Sequence, residues 1–206
     1  MTYHATKHRV ANRGIPPDSF LDELVTWGKI AAHDIFVPNS NYDVYSSVFG
    51  VFGPYEGLGY RRAVMLEVMR VLAGFESSWT WTQGSDTDAD HRAAKHHKVR
   101  PPAEVEAGAW QVSADSMGHG PELKNLVLSK VGSLNAIDFQ RAMKRDHQLA
   151  MEYIARLLRR TVRANGPVLR HEIDPWLRKD AVREFQSLLY PVGDFPLPPA
   201  SGPRFA

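Results

Sequence analysis

The sequence of 206 residues contains no cysteine, which excludes disulfide bonds, thiolate catalysis and zinc sites with cysteine ligands. It also lacks any run of about 20 apolar residues, so no membrane-spanning helix is expected. Neither sign of charge dominates: 25 lysines and arginines face 23 acidic residues, for a net charge of +2. Because nucleic-acid-binding domains usually carry a strong basic patch, this balance does not predict a nucleic acid partner.

The polar N-terminus is not followed by the apolar run of about 7–15 residues that a classical secretory signal peptide requires. Hydrophobic residues make up 43% of the chain, enough for a sizeable core, and nothing repeats at a fixed period. We therefore expect one domain over residues 1–206. Its ends are predicted to be a lead-in loop over residues 1–17 and an extended tail over residues 191–206, which holds five of the fourteen prolines.

Apolar residues at helical spacing predict a mainly α-helical fold in which β structure is limited to a small hairpin or loop region. Helices are expected from Asp18 or Ser19 to about Ala32, from Gly59 to Phe75, from Pro121 to about Lys130, from Asn135 to Ala164, and after Asp174-Pro175. Residues 34–58 are rich in glycine and proline and are predicted to be irregular with short extended pieces. A long loop is expected over residues 77–108, and a short strand or turn over residues 109–112.

Glu76 directly follows the most apolar helix of the chain, which is apolar nearly all round and therefore expected to be buried. Burial disfavours the charged form of a carboxyl group, so such a glutamic acid can keep its proton and donate it. A general acid in glycoside cleavage needs this property. The alternative is an ordinary glutamate that reaches solvent at a helix end, and the helix by itself does not exclude it.

Two short segments, one of which contains Glu76, resemble motifs of a known family of enzymes. Phe75-Glu76-Ser77-Ser78-Trp79 resembles the Glu-Ser signature of lytic transglycosylases and goose-type lysozymes, and Gly108-Ala109-Trp110-Gln111-Val112 resembles their Gly-Leu-Met-Gln segment. The helix around Tyr153 resembles a later helix of those proteins. The resemblance covers residues from about 60 to 160 and implies an α+β, lysozyme-like version of this mainly helical fold. It departs from the family in a longer gap between the two segments and in Trp110, which replaces a smaller residue. The family's Asn-Ala-Gly segment has only a weak counterpart here, Arg163-Ala164-Asn165-Gly166.

The resemblance implies cleavage of the β-1,4 bond after N-acetylmuramic acid in peptidoglycan, with Glu76 as the catalytic acid. A hydrolase would add a second carboxylate that holds or activates water, whereas a transglycosylase would use the muramyl 6-hydroxyl instead. The favoured second acid is Asp88, with Asp86, Asp90 and Glu106 as alternatives. The resemblance and the sugar-stacking ability of aromatic rings suggest a set of substrate contacts: Ser77, Trp79, Trp81, Trp110, Gln111 and Tyr153. Core packing is the competing explanation for the tryptophans and for Tyr153.

The acidic and histidine-rich stretch from Asp86 to His97 has other interpretations. An EF-hand would need glycine and glutamate where His91 and His97 stand, which excludes that calcium loop. A transition-metal site could be formed by Asp90 and the histidines, although their spacing matches no zinc signature. A metal-dependent hydrolase and a non-catalytic, lysozyme-like wall-binding module therefore remain as alternative functions. The favoured prediction includes no metal and no cofactor.

The expected partner is the peptidoglycan glycan strand, so the site of action would be the cell wall, in the periplasm or outside the cell. Without a signal peptide, such a protein would be secreted by a dedicated machine or released on lysis. It would then be an antibacterial effector of bacterial competition or a phage endolysin. An effector would in turn imply an immunity protein that blocks the cleft.

Overall fold

The computed structural model describes residues 1–84 and 101–190, and it is mainly helical in these ranges. The α-helices there are α1 (Asp18–Ile30), α2 (Val44–Ser47), α3 (Phe49–Phe52), α4 (Gly57–Ser77), α5 (Pro121–Val131), α6 (Ala136–Arg145), α7 (His147–Arg160), α8 (Gly166–Leu169) and α9 (Lys179–Leu189). In the described ranges, β structure is limited to one isolated antiparallel bridge between Ala107 and Val112. The mainly helical prediction is confirmed.

Helix α4 lies at the centre of the fold and packs against α1, α7 and α9. Its side chains from Arg61 to Leu72 are all buried. The apolar pattern predicts this for the apolar positions, but it did not predict burial of the charged residues Arg61, Arg62, Glu67 and Arg70. The approach of α1 is close, because a Cβ atom on Gly28 would lie 2.8 Å from Leu66 Cδ1. A helix held on several sides has little freedom to tilt, so the position of its last turn is well determined.

Helix α4 also carries an ion pair that is buried in the core of the protein. Glu67 and Arg70 are both fully buried, and the guanidinium donates from Nε and Nη2 to the two carboxylate oxygens at 2.7 Å. The backbone N–H of Arg178 donates to the same carboxylate at 3.0 Å. Burial raises the pKa of Glu67, and the charge and hydrogen bonds of Arg70 oppose that rise. The pair joins α4 to the segment that precedes α9.

The prediction of a single long helix from Asn135 to Ala164 is wrong, because two helices, α6 and α7, meet at Asp146. The backbone of Asp146 leaves the helical region (φ −100°, ψ 88°), and its carboxylate accepts a hydrogen bond from Leu149 N at 2.9 Å. Asp146 is thus the N-cap of α7, as Asn135 is of α6. The apolar spacing resumes after the break, so periodicity did not reveal it. Helix α7 ends at Arg160, four residues before the expected end.

Residues 34–58 contain irregular stretches, as expected, but short helical turns at Val44–Ser47 and Phe49–Phe52 take the place of the predicted extended pieces. Asp43 caps α2 by accepting from Tyr45 N at 2.9 Å and Ser46 N at 3.2 Å. The same carboxylate forms a buried ion pair with Arg159 of α7. Local capping by Asp43 and the long-range ion pair therefore stabilise a helical turn where glycine and proline had suggested loop.

The N-terminal segment is more than a lead-in loop. Tyr3, Thr6 and Val10 are buried, and a 3-10 turn spans Ala5–Lys7. The carboxylate of Glu184 in α9 accepts hydrogen bonds from His4 N at 2.7 Å and from Thr6 N at 2.6 Å. Residues 1–14 thus lie against the helical core.

The predicted tail over residues 191–206 lies outside the described residues. Within the described residues, no helix combines the length and hydropathy needed to cross a bilayer.

Candidate functional site

The last turn of α4 carries Glu76, and its shape is set by the residues that follow. Ser78 and Trp79 both adopt left-handed backbone conformations (φ 54° and 60°), and Trp79 N donates to Ala73 O at 3.1 Å. The indole of Trp79 folds back over Gly74, where a Cβ atom would lie 2.5 Å from the ring, and its Nε1 donates to Arg70 O at 2.9 Å. This closed helix end leaves Glu76 half-buried at the edge of the core.

Ser77 joins the helix end to the second segment singled out in the sequence. Its hydroxyl donates to Ala109 O at 2.8 Å and accepts from Thr80 N at 3.0 Å. The Ser77 side chain is buried, so its hydroxyl is occupied by the protein and does not face a substrate. The expected sugar contact is therefore replaced by a structural one, which holds residues 107–112 beside Glu76.

Residues 107–112 form a tight turn, closed by reciprocal hydrogen bonds between Ala107 and Val112 at 2.9 and 3.1 Å. Gly108 needs its positive φ of 76°, and a Cβ atom there would lie 2.6 Å from Met143 O. Gln111 also has positive φ (45°) and donates from Nε2 to Gly108 O at 2.8 Å. Five non-glycine residues of the described ranges have positive φ, and three of them are Ser78 and Trp79, just after Glu76, and Gln111 in this turn. Such strained positions concentrate at functional sites.

Three of the predicted aromatic contacts are core residues. Trp79, Trp110 and Tyr153 are 4%, 2% and 0% exposed, so none of them offers a ring face to a sugar. Trp110 packs near Phe20 and donates from Nε1 to Met69 O at 2.9 Å. The hydroxyl of Tyr153 lies 2.7 Å from Ser116 Oγ, and burial raises the pKa of this phenol. The competing explanation by core packing holds for all three.

Trp81 is the half-buried member of the aromatic set. Its ring stacks on the imidazole of His147 with centroids 3.9 Å apart and planes 8° from parallel. His147 Nδ1 lies 2.5 Å from Glu23 Oε2, so this stack connects residues 81–84 to α1 and α7. One face of Trp81 is thus covered by protein.

Glu76 and Gln111 line a common cleft of about 590 Å³. The remaining lining comes from the N-terminal segment, the last turn of α4, the chain around residues 83 and 106, and the α8 region. These residues are Arg13, Phe75, Gln83, Glu106, Ala164, Asn165, Gly166, Pro167, Arg170 and Glu172. Of the proposed second acids, Glu106 lies in this cleft. Asp86, Asp88 and Asp90 lie outside the described residues, as do His91, His96 and His97.

The amide oxygen of Gln111 is the notable polar atom of the cleft. The side chain is 7% exposed, and no donor among residues 1–84 and 101–190 reaches Oε1. A buried carbonyl oxygen without a donor is energetically unfavourable by about 1–3 kcal/mol. Because Oε1 itself has less than 1 Å² of accessible surface, a ligand hydroxyl or N–H group could relieve that deficit only after the Gln111 side chain turns toward the cleft.

An exposed ion pair lies at the rim of the cleft. Arg170 Nε donates to Glu172 Oε1 at 2.6 Å, and Nη2 lies 3.4 Å from Oε2. The hydrogen bond and charge of Glu172 raise the pKa of Arg170, with a smaller contribution from the charge of Glu76. In turn, the hydrogen bond from Arg170 lowers the pKa of Glu172. Arg170 therefore lies within electrostatic reach of the candidate acid.

Sequence reasoning missed Arg13, Gln83, Arg170 and Glu172. No local pattern marks them, since they reach the cleft only through folding of distant segments. Asn165-Gly166, noted as a weak echo of a family segment, does line the cleft, although the Asn165 side chain accepts from Val168 N and caps α8.

Another cavity of the described residues lies apart from Glu76. A cavity of about 670 Å³ opens beside Lys130, Arg141, Arg145 and His147. Among the described residues, no group of three acidic or histidine side chains is placed to hold a metal ion.

Comparison with known proteins adds no relative. No protein-family model matches the chain, and no curated protein or solved structure matches it significantly.

Proposed function

We propose that the protein cleaves the β-1,4 glycosidic bond after N-acetylmuramic acid in peptidoglycan strands, with Glu76 as the general acid. The observation that carries this proposal is the 2.8 Å hydrogen bond from Ser77 to Ala109 O. It connects the two segments whose sequences resemble lytic transglycosylases and goose-type lysozymes, and it sets Glu76 and Gln111 in one cleft. The helical fold with an acid at the end of its central helix agrees with the lysozyme-like interpretation.

In the proposed reaction, the carboxyl group of Glu76 gives its proton to the leaving glycosidic oxygen while the bond from that oxygen to the anomeric carbon breaks. The anomeric centre develops oxocarbenium character and is then attacked by an oxygen nucleophile. In hydrolysis the nucleophile is water, which loses its proton to a carboxylate. In transglycosylation it is the muramyl 6-hydroxyl, whose proton returns to Glu76.

Glu106 is the described residue best placed for the second carboxylate of a hydrolase, because it lines the same cleft as Glu76 and is half-buried. Gln111 supports the proposal in another way. When the Gln111 side chain turns toward the cleft, its Oε1 can accept a hydrogen bond from a sugar hydroxyl or acetamido N–H, which would orient the ring beside Glu76. The substrate would lie in the cell wall, where we expect the protein to act.

The test is mass analysis of muropeptides after purified peptidoglycan is incubated with the wild type and with Glu76→Gln. We expect soluble muropeptides from the wild type and a loss of at least about a hundredfold in rate with the variant, since general acid catalysis contributes that much. Reducing ends would identify hydrolysis, and anhydro ends would identify transglycosylation.

A matched control is Glu56→Gln, which changes an exposed glutamate before the opposite end of α4. We expect it to retain wild-type activity. Intact peptidoglycan after incubation with the folded wild type would contradict the enzymatic proposal and favour a non-catalytic wall-binding module. Equal activity of wild type and Glu76→Gln would remove Glu76 from the mechanism.

A further inference from the structure

Two arginines line the cleft of Glu76, and each is held there by a specific feature of the backbone. Arg13 belongs to a turn closed by hydrogen bonds from Val10 N to Gly14 O at 3.0 Å and from Arg13 N to Val10 O at 2.9 Å. Val10 is fully buried and holds the turn on the core. The N-terminal segment thus brings a cation to a cleft whose acid lies more than 60 residues later in the chain.

Arg170 lies in the cleft with its guanidinium close against Gly166, which has no side chain in the way. A Cβ atom there would lie 2.6 Å from Nη1 of Arg170 and 3.0 Å from its Cζ. The guanidinium therefore lies against the backbone of α8, with its orientation fixed by the two contacts to Glu172. An exposed ion pair of this kind is only marginally stabilising, since water screens it. A ligand carboxylate can accordingly share or replace Glu172.

Arg13 has no such partner: among residues 1–84 and 101–190, no carboxylate lies within ion-pair distance of its exposed guanidinium. A guanidinium group matches the planar geometry of a carboxylate and binds it through two parallel hydrogen bonds. The hydroxyl and acetamido groups of a neutral sugar do not require a cation. In a peptidoglycan strand, however, every second sugar carries a lactyl group that ends in a carboxylate or in a stem peptide.

We propose that the cleft selects glycans that bear carboxylate groups, and that Arg13 and Arg170 are the specificity-determining residues that bind such a carboxylate beside Glu76. This inference rests on the proposed function for its substrate. The carboxylate has two sources, the lactyl group of an unsubstituted muramic acid and the α-carboxylate of a stem peptide. The alternative role of the arginines is to balance the charges of Glu76, Glu106 and Glu172 without contacting the substrate.

Binding can be measured without turnover by titrating Glu76→Gln with three hexasaccharides of alternating N-acetylglucosamine and N-acetylmuramic acid. The first has free lactyl carboxylates, the second has neutral lactyl methylamides, and the third carries one L-alanine with a free carboxylate on each lactyl group. We expect a carboxylate probe to bind about tenfold more tightly than the methylamide, as for one charge-assisted hydrogen bond. The tighter of the two carboxylate probes identifies the source.

In the same background, Arg13→Gln and Arg170→Gln should each remove most of that tenfold preference while leaving the affinity for the methylamide unchanged. The control is Arg183→Gln, an exposed arginine on α9 that does not line the cleft, which should keep the preference. The inference is overturned if all three probes bind equally, if none binds, or if the arginine variants weaken the three probes by the same factor.

Cleavage of the same probes by the wild type separates this inference from the proposed function. Equal cleavage of all three, together with equal binding, would overturn the carboxylate preference and leave the glycosidase activity in place. Carboxylate-dependent binding without cleavage of peptidoglycan or any probe would overturn the glycosidase and leave the preference in place.

Discussion

Ser77 and Ala109 lie 32 residues apart in the chain, and the hydroxyl of Ser77 donates a 2.8 Å hydrogen bond to the carbonyl of Ala109. Both residues are buried, so neither group can turn to water when the other is lost. The contact fixes the distance between the end of α4 and the turn that carries Gln111. It makes Ser77 a positioning residue and explains why a serine follows the candidate acid.

Replacing Ser77 by alanine should destabilise the protein by about 1–3 kcal/mol, because the buried Ala109 carbonyl loses its donor. Activity on peptidoglycan should fall further than the loss of folded protein explains, since Gln111 is no longer held. Urea unfolding and initial rates measure the two effects. Ser129→Ala is the control, because that exposed hydroxyl donates only to Leu126 O in its own helix. Unchanged stability and rate in Ser77→Ala would contradict the positioning role.

Gly108 and Gly132 both have positive φ, at 76° and 74°, but their surroundings differ. Alanine at either position should incur backbone strain of about 1–2 kcal/mol. Only Gly108 has backbone within reach, with Met143 O 2.6 Å from the added Cβ, whereas Gly132 has nothing within 4 Å. Gly108→Ala should therefore be less stable than Gly132→Ala by about 1–3 kcal/mol, as measured by thermal unfolding. Equal destabilisation of both variants would show that the turn can shift freely.

The buried ion pair of Glu67 and Arg70 should be strongly sensitive to the loss of one partner. Arg70→Met leaves a buried carboxylate without its counter-ion and should lower the free energy of unfolding by about 3–5 kcal/mol. The exposed pair of Arg141 and Asp138, at 3.8 Å, has the same i, i+3 spacing. Arg141→Met should therefore change the stability by less than about 1 kcal/mol.

A second change tests the electrostatic explanation. Glu67→Gln added to Arg70→Met removes the uncompensated charge and should recover part of the lost stability. Additive destabilisation in the double variant would attribute the effect to lost packing of the arginine side chain instead.

Asp34 should contribute a small, pH-dependent stabilisation through Arg156. The hydrogen bond from Arg156 Nη1, at 2.9 Å, lowers the pKa of Asp34 below its ordinary value of 3.8. A carboxyl group whose pKa is depressed by folding stabilises the protein fully above its unfolded pKa and loses that effect as the pH falls through the folded pKa. Because Asp34 is exposed, the effect should stay below about 1 kcal/mol.

The measurement for Asp34 is the difference in unfolding free energy between wild type and Asp34→Asn from pH 7 down to pH 2. The difference should be constant above pH 5, shrink below about pH 4 and weaken in high salt. A difference that grows on acidification would contradict the assigned ion pair.

Much of the helical framework could be predicted from the sequence, since helices depend on local spacing and capping. The apolar run that ends before Glu76 predicted a buried central helix, and α4 is that helix. Pro121 and Asn135 marked the starts of α5 and α6 correctly. The break at Asp146 was missed because the apolar spacing continues in α7, and only the cap geometry of Asp146 reveals it.

The sequence by itself determined the buried central helix and the acid at its end, because both follow from side chains that are adjacent in the chain. The tertiary structure decided which polar groups share a cleft with that acid. Glu76 meets Arg13, Glu106 and Arg170 there through contacts between segments far apart in sequence. It also decided that Trp79 and Trp110 are core residues, since burial depends on what packs against a ring and not on the residues beside it.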